Sequence, residues 1–223
     1  MNSVDSKLGV SEIVSRKGSW SSVYFDFDGT IANTAIDKKN AFYALVAACH
    51  TNVVGDVLRR LDGRHREEIF LEISRLTREA LAPMESNFEI SVRGIYQNAE
   101  CFTNFTRLKR FFDCPFYILT SGRIDGVRDF LVSRGLAHFF ADIVRPAYKR
   151  DYFEARALEL QDEKLLFFGD GPQDYACNTL SNVTYVHCEQ WSDFVPDGSK
   201  CIKIKGLDDL AHSIQEHLDA IRK

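Results

Sequence analysis

The sequence predicts an α/β fold: a parallel sheet with helices on both faces and an all-helical block inserted after the first strand. Three observations carry this. Short apolar runs bounded by turn residues alternate with segments of helical spacing, which is the order of a parallel sheet. One long stretch, from about Ile36 to Tyr96, shows helical spacing only, whereas parallel α/β units return to the sheet after one helix. Polar residues capable of chemistry also stand at the carboxyl ends of successive predicted strands, where open α/β sheets bind ligands.

The first strand organises the rest. Val23-Tyr24-Phe25-Asp26-Phe27-Asp28-Gly29-Thr30 begins as a buried apolar run, yet carries carboxylates at i and i+2 and breaks at a glycine. Ionised carboxylates that close repel each other and lose hydration, so a cation or a reacting group is expected beside them. An ordinary Asp-Gly-Thr turn is the plainer reading of the same residues.

Residues before Ser21 are polar and read as a tail or a short docking helix. After Thr30 a polar hinge leads into the helical block. Its helices are predicted near 39–48, 55–61, 66–76 and 89–96, with breaks at Gly63 and at Ala82-Pro83. Alternation then resumes with a helix to about Phe112, a strand at 116–119, a helix at 125–133 ended by Gly135, and a short strand at 142–144. A helix near 152–160, a strand at 164–168, a further helix, strands at 184–187 and 202–204 and a closing helix at 207–221 complete the order.

Four successive strand ends thus offer Asp26 and Asp28, then Thr120-Ser121-Gly122, then Lys149, then Gly169-Asp170-Gly171-Pro172-Gln173-Asp174. Together they present two acids, a hydroxyl, a cation and two more acids.

Composition fits a folded chain without a polyanionic partner. Of 223 residues 45% are hydrophobic and 27% charged, with 17 Phe, so a substantial core is expected. That length holds one large domain or a core with a small insertion. A net charge of −4 gives no overall pull toward nucleic acid or an anionic membrane, and neither is an expected partner. Arg107-Leu108-Lys109-Arg110 reads as the solvated face of a helix. The six cysteines show no Cys-x-x-Cys pair or zinc spacing and read as buried free thiols. With no signal-like start or bilayer-length apolar run, a cytoplasmic location is expected.

The ordered motifs resemble the haloacid dehalogenase superfamily, specifically its phosphatase-like members with a helical cap after the first strand. Asp26-Phe27-Asp28-Gly29-Thr30 matches the first motif and Ile118-Leu119-Thr120-Ser121-Gly122 the second. Lys149 and Gly169 to Asp174 resemble the third and fourth. The resemblance implies a Rossmann-like parallel-sheet core, residues 1–35 and 97–223, with an all-helical cap domain at 36–96. It also implies a magnesium-dependent phosphatase, similar to phosphoglycolate phosphatases, acting on a small phosphorylated metabolite.

By that resemblance Asp26 is the nucleophile that forms an aspartyl phosphate and Asp28 the general acid and base. Thr120 holds a phosphoryl oxygen, with Ser121 as the alternative hydroxyl, and Lys149 balances charge, with Arg145 and Arg150 as alternatives. Mg2+ is implied on Asp26, the Asp28 backbone carbonyl, Asp170 and Asp174, with helix capping as the other reading of Asp174. Ser121, Gly122 and Arg123, and Arg64 and Arg66 in the cap turn Asp62-Gly63-Arg64-His65-Arg66, are the implied substrate contacts. A solvated surface turn is the plain alternative for the arginines.

Two other functions fit the same motifs. A phosphosugar mutase similar to beta-phosphoglucomutase shares the core and differs in excluding water from the aspartyl phosphate. A non-catalytic module of the same fold would bind a phosphate or a partner. Dehalogenases and phosphonate hydrolases of the superfamily lack the second acid of the first motif, so Asp28 argues against both.

Overall fold

A computed structural model describes residues 10–61, 64–159, 163–197 and 201–221. Six strands form one parallel sheet: β1 (Ser22–Phe25), β2 (Phe116–Leu119), β3 (Asp142–Val144), β4 (Leu165–Gly169), β5 (Val183–Cys188) and β6 (Ile202–Ile204), in the order β3-β2-β1-β4-β5-β6. The chain grows outward from β1 to β3 on one side and from β4 to β6 on the other. The order therefore reverses between β1 and β4, and a crevice opens at their carboxyl ends. Asp26 follows β1 and Asp170 follows β4.

Period-2 alternation sends the strand side chains to two apolar layers. Val23, Phe25, Phe116, Ile118, Leu166 and Phe168 face one of them. There they pack with Phe105 and Leu108 of α5 (Phe105–Phe111), Phe130 of α6 (Ile124–Ser133) and Leu210 and Ile214 of α9 (Leu207–Ile221). Tyr24, Leu119, Phe167 and Tyr185 face the other, against Phe153 of α7 (Lys149–Glu159). The segment before β1 is more than a tail: residues 10–15 are helical, and Val10 and Ile13 are buried in the first layer.

Among the described residues the inserted block holds four α-helices, α1 (Ala35–Tyr43), α2 (Thr51–Arg60), α3 (Arg66–Thr77) and α4 (Leu81–Asn98), with a short 3-10 turn at Ala48–His50. They bury a separate cluster centred on Phe42, Phe70 and Phe88, with ring centroids 4.3 to 5.4 Å apart. The break expected at Ala82-Pro83 falls earlier, at 78–80 between α3 and α4. Pro83 is the third residue of α4, where the missing N–H is one of the first-turn donors that no helix satisfies internally. The helix expected near 152–160 likewise starts earlier, so Lys149 opens α7.

The cysteines are free, as expected, but only Cys177 and Cys188 are buried and Cys49 is exposed. Lys109 departs from a purely solvated face, with Nζ 4.0 Å from the centre of the Phe116 ring. Among the described residues no single helix is long and apolar enough to cross a membrane.

Candidate active site

Asp26 extends the β1/β4 ladder by one bond, its N–H donating to the Phe168 carbonyl at 2.8 Å. The chain then folds back on itself: the N–H groups of Ile31 and Ala32 both donate to the Phe27 carbonyl at 3.0 Å. Gly29 makes this possible at φ +83°, a left-handed conformation that favours glycine. The same turn lets Asp170 approach, since a Cβ on Gly29 would lie 2.1 Å from Asp170 Oδ2.

Asp174 stands in the first turn of the short helix α8 (Pro172–Tyr175), and its Oδ2 accepts the N–H groups of Asp170 at 3.2 Å and Gly171 at 3.0 Å. The capping role therefore holds, and it does not take Asp174 away from the other acids. Carboxylate oxygens of Asp26, Asp170 and Asp174 lie within 4.8 Å of one another, and all three residues are buried. Lys149 Nζ lies 2.6 Å from Asp26 Oδ1 and 2.6 Å from Asp174 Oδ1.

The protonation equilibria register the crowding. Burial pushes the Asp26 carboxyl up to about 7 against the opposing pull of Lys149. Burial and the neighbouring Asp26 and Asp174 raise Asp170 well above the ordinary carboxylate range. Burial works against the Lys149 ammonium, but Asp174 and Asp26 outweigh it and hold the proton on. This is a surplus of negative charge with oxygen donors only, with no thiol or imidazole in the cluster. Such a donor set fits a hard divalent ion such as Mg2+.

Asp28 lines the same cavity but its carboxylate is held by other partners. Its Oδ1 accepts from Thr34 Oγ1 at 2.6 Å and its Oδ2 from Lys38 Nζ at 2.5 Å. Lys38, on α1, also reaches the Tyr96 hydroxyl of α4 at 3.5 Å. Burial disfavours its charge, yet Asp28 and Tyr96 raise its proton affinity above that of an ordinary lysine. Sequence reasoning missed Lys38, since one lysine in a helix of mixed polarity carries no signal. Its place ten residues after Asp28, one helical turn past the hinge, is the only pointer.

Around these groups lies a cavity of about 940 Å3 between the sheet ends and the helical block. Ser121, Gly122, Arg64 and Arg66 line it. Thr120 lies fully buried beneath, its Oγ1 accepting the Gly122 N–H at 2.9 Å, and a Cβ on Gly122 would be 3.6 Å from Asp28 Oδ2. Arg123 is not among the residues that line the cavity; it is half exposed, 3.6 Å from Asp125 and 3.9 Å from the Glu89 that pairs with Arg66. Arg66 is buried against Glu89 at 2.6 Å and so is not a solvated surface arginine, whereas Arg64 is part-exposed, stacked 4.2 Å over Tyr148 and 3.5 Å from Glu68. Asp62 and Gly63 lie outside the described residues. Of the rivals for the cation position, Arg145 pairs with Glu67 at 2.6 Å and Arg150 with Glu154 at 2.8 Å; Lys149 is the one at Asp26.

No protein-family model matches the sequence, and neither does any curated protein. Solved structures do match the fold. A haloacid dehalogenase-like family hydrolase, SP0104 of Streptococcus pneumoniae, aligns over 87% of this chain and 99% of its own at 21% identity and a TM-score of 0.58. The fold is that of the haloacid dehalogenase-like hydrolases. A structure described as a predicted phosphoglycolate phosphatase, from Haemophilus somnus, covers 87% of this chain and 98% of its own at 14% identity and a TM-score of 0.65. The HAD-hydrolase YfnB of Bacillus subtilis, described as bound to magnesium, covers 88% and 99% at 18% identity and 0.64.

Proposed function

We propose that the protein is a magnesium-dependent phosphatase that hydrolyses a small phosphorylated metabolite through an aspartyl-phosphate intermediate. In this reading residues 36–96 are the cap and residues 1–35 and 97–223 the catalytic core. The observation that carries it is the meeting of Asp26, Asp170 and Asp174, oxygens within 4.8 Å, with Lys149 2.6 Å from Asp26 and Asp28 on the same cavity.

The Asp26 carboxylate attacks phosphorus in line, the bond to the ester oxygen breaks, and that oxygen takes the electron pair together with a proton from Asp28. Asp28, now a carboxylate, then removes a proton from a water whose oxygen attacks the phosphorus. The bond from phosphorus to Asp26 breaks, and inorganic phosphate leaves with the free carboxylate restored. Lys149 offsets the negative charge gathered on Asp26 during both displacements. Thr120 already accepts the Gly122 N–H, so its hydroxyl proton is left to donate to a phosphoryl oxygen seated on Ser121 and Gly122. Asp26, Asp170 and Asp174, with the Asp28 backbone carbonyl, would hold Mg2+, which would neutralise charge on the transferring phosphoryl oxygens.

The test is release of inorganic phosphate from a panel of phosphate monoesters with Mg2+. Asp26→Asn and addition of chelator should each abolish release, and turnover that survives either one defeats the reading. Free phosphate as the product separates a phosphatase from a phosphosugar mutase, which would return the phosphoryl group on another hydroxyl.

A further inference from the structure

The cavity above Asp26 is larger and less cationic than a short acidic substrate requires. Its volume of about 940 Å3 falls near the top of the range of roughly 300–1,000 Å3 for ligand cavities. A phosphate ester of a two- or three-carbon acid would fill a small part of it. On the cap side Ile36, Tyr43 and Leu58 stand on the wall, with Thr51 and Asn52 as polar groups. Ile36 is 46% exposed there, an apolar side chain left facing the open space. The Tyr43 hydroxyl lies 3.3 Å from where a Cβ on Gly55 would stand, so the bare glycine lets the ring lie against α2 rather than across the cavity.

Charge on the wall is already spent. Six lysines and arginines line the cavity, and six aspartates with them. Lys38 and Lys149 hold Asp28, Asp26 and Asp174 as described. Of the others, Lys39 Nζ is 2.7 Å from Asp193, Arg59 Nη2 2.6 Å from Asp56, Arg64 Nη1 3.5 Å from Glu68 and Arg66 Nη2 2.6 Å from Glu89. Arg66 is buried, and freeing it for a ligand would leave the Glu89 carboxylate without its partner. The Lys39 and Arg59 pairs are exposed and weak, but an anion approaching either meets an aspartate as well. Lys149, together with a divalent ion where one is held by Asp26, Asp170 and Asp174, would serve the transferring phosphoryl group. Among the described residues every cation on this wall already has an acidic partner, Arg64 with Glu68 at 3.5 Å being the loosest pair, so a carboxylate or a second phosphate on the leaving group would compete with a protein carboxylate for it.

We infer that the leaving group is a neutral, ring-bearing alcohol with an apolar planar face, as in a nucleoside monophosphate, rather than a short carboxylate-bearing or bisphosphorylated one. The inference rests on the phosphatase reading for its chemistry but on the cavity wall for its selectivity. An uncharged ring gains from burial against Ile36, Tyr43 and Leu58, while a second anion loses hydration and meets cations that are already paired.

The experiment compares kcat/KM for uridine 5′-monophosphate, benzyl phosphate, glucose 6-phosphate, phosphoglycolate and fructose 1,6-bisphosphate. In parallel, calorimetry measures binding of the same compounds to the Asp26→Asn variant with Mg2+, where no turnover is needed. The two ring-bearing, singly phosphorylated neutral esters should exceed phosphoglycolate and the bisphosphate by about tenfold or more in both readouts. Glucose 6-phosphate, neutral but without an apolar face, should fall below them. Ile36→Arg, a change at an exposed position, should move the ratio toward phosphoglycolate by about fivefold or more. A smaller preference, a preference for phosphoglycolate, or no binding of uridine 5′-monophosphate overturns the inference. Ordered binding without any phosphate release would sink the phosphatase reading and leave the selectivity standing; phosphate release without the order would do the reverse.

Discussion

The Asp170 carboxylate occupies the space that a side chain on Gly29 would need, with Oδ2 2.1 Å from the position of a Cβ there. Two strand ends far apart in sequence are thus fitted together through the absence of a methyl group. Gly29→Ala meets two penalties, a left-handed φ of +83° that costs an alanine roughly 1–2 kcal/mol, and displacement of Asp170. The melting temperature should fall by about 2–8 °C at the usual sensitivity for a chain of this size. Mg2+ affinity measured by calorimetry should drop by about tenfold or more. An unchanged affinity would mean that Asp170 is not held by this fit.

Lys38 ties the acid and base of the proposed reaction to the cap, with Nζ 2.5 Å from Asp28 Oδ2 and 3.5 Å from the Tyr96 hydroxyl. A positioning role has a specific signature, because protonation of the ester oxygen matters for a poor leaving group and little for a good one. Lys38→Met should lower kcat/KM for an alkyl phosphate by about tenfold more than for 4-nitrophenyl phosphate, and Lys38→Arg should restore part of the loss. Equal losses on both esters would mark the lysine as merely structural.

What could be read from the sequence divides along physical lines. Strands such as Phe116–Leu119 and Ile202–Ile204 were legible because short apolar runs between turn residues have few alternatives. The convergence of Asp26, Asp170 and Asp174 was legible through the resemblance of the motifs at the strand ends, since the residues alone left a turn reading open for Asp26 and Asp28 and a capping reading for Asp174. Pro83 misled because a proline reads as a break unless the first turn of its helix is already placed. Lys38 and the Arg66–Glu89 pair were out of reach for a different reason. Their partners sit 10 residues upstream of Lys38 and 23 downstream of Arg66, and only packing of the cap decides which helix faces meet.

Two buried groups make folding stability depend on pH in opposite directions. His187 is 1% exposed on β5, and burial, aided by Lys203, pushes its imidazole down to about 4. Between about 4 and the unfolded value near 6.5 the unfolded chain binds a proton that the folded one does not. This contribution is therefore present above pH 6.5 and lost as the pH falls toward 4, by roughly 3 kcal/mol. The Asp26 carboxyl, raised by burial to about 7, is protonated in the folded chain while the unfolded one has ionised, so its contribution is lost as the pH rises from about 4 to 7. In urea unfolding with chelator present, the advantage of wild type over His187→Gln should shrink on acidification. The advantage of Asp26→Asn over wild type should grow as the pH rises to neutrality. A pH-independent difference in either pair would contradict the corresponding assignment.

Lys149 is the one cation within 2.6 Å of both Asp26 and Asp174 among the described ion pairs, so its removal separates its structural duty from its chemical one. In Lys149→Met without metal, three buried carboxyls crowd together with no ammonium among them. Breaking a buried pair in this way costs about 3–5 kcal/mol. Protonation of Asp26 offers an escape, since loss of Lys149 removes the influence that pulls its carboxyl down. The folded variant then binds its proton more tightly than wild type, which makes its stability fall more steeply as the pH rises through 7. The deficit relative to wild type should consequently be small near pH 5 and large near pH 8. Mg2+ should restore most of it by supplying the missing positive charge, while phosphate release stays low because the charge on Asp26 is no longer offset during attack. Thermal unfolding at both pH values, with and without Mg2+, reads this directly: a deficit that ignores both pH and metal would place Lys149 outside the electrostatics of the carboxylate cluster.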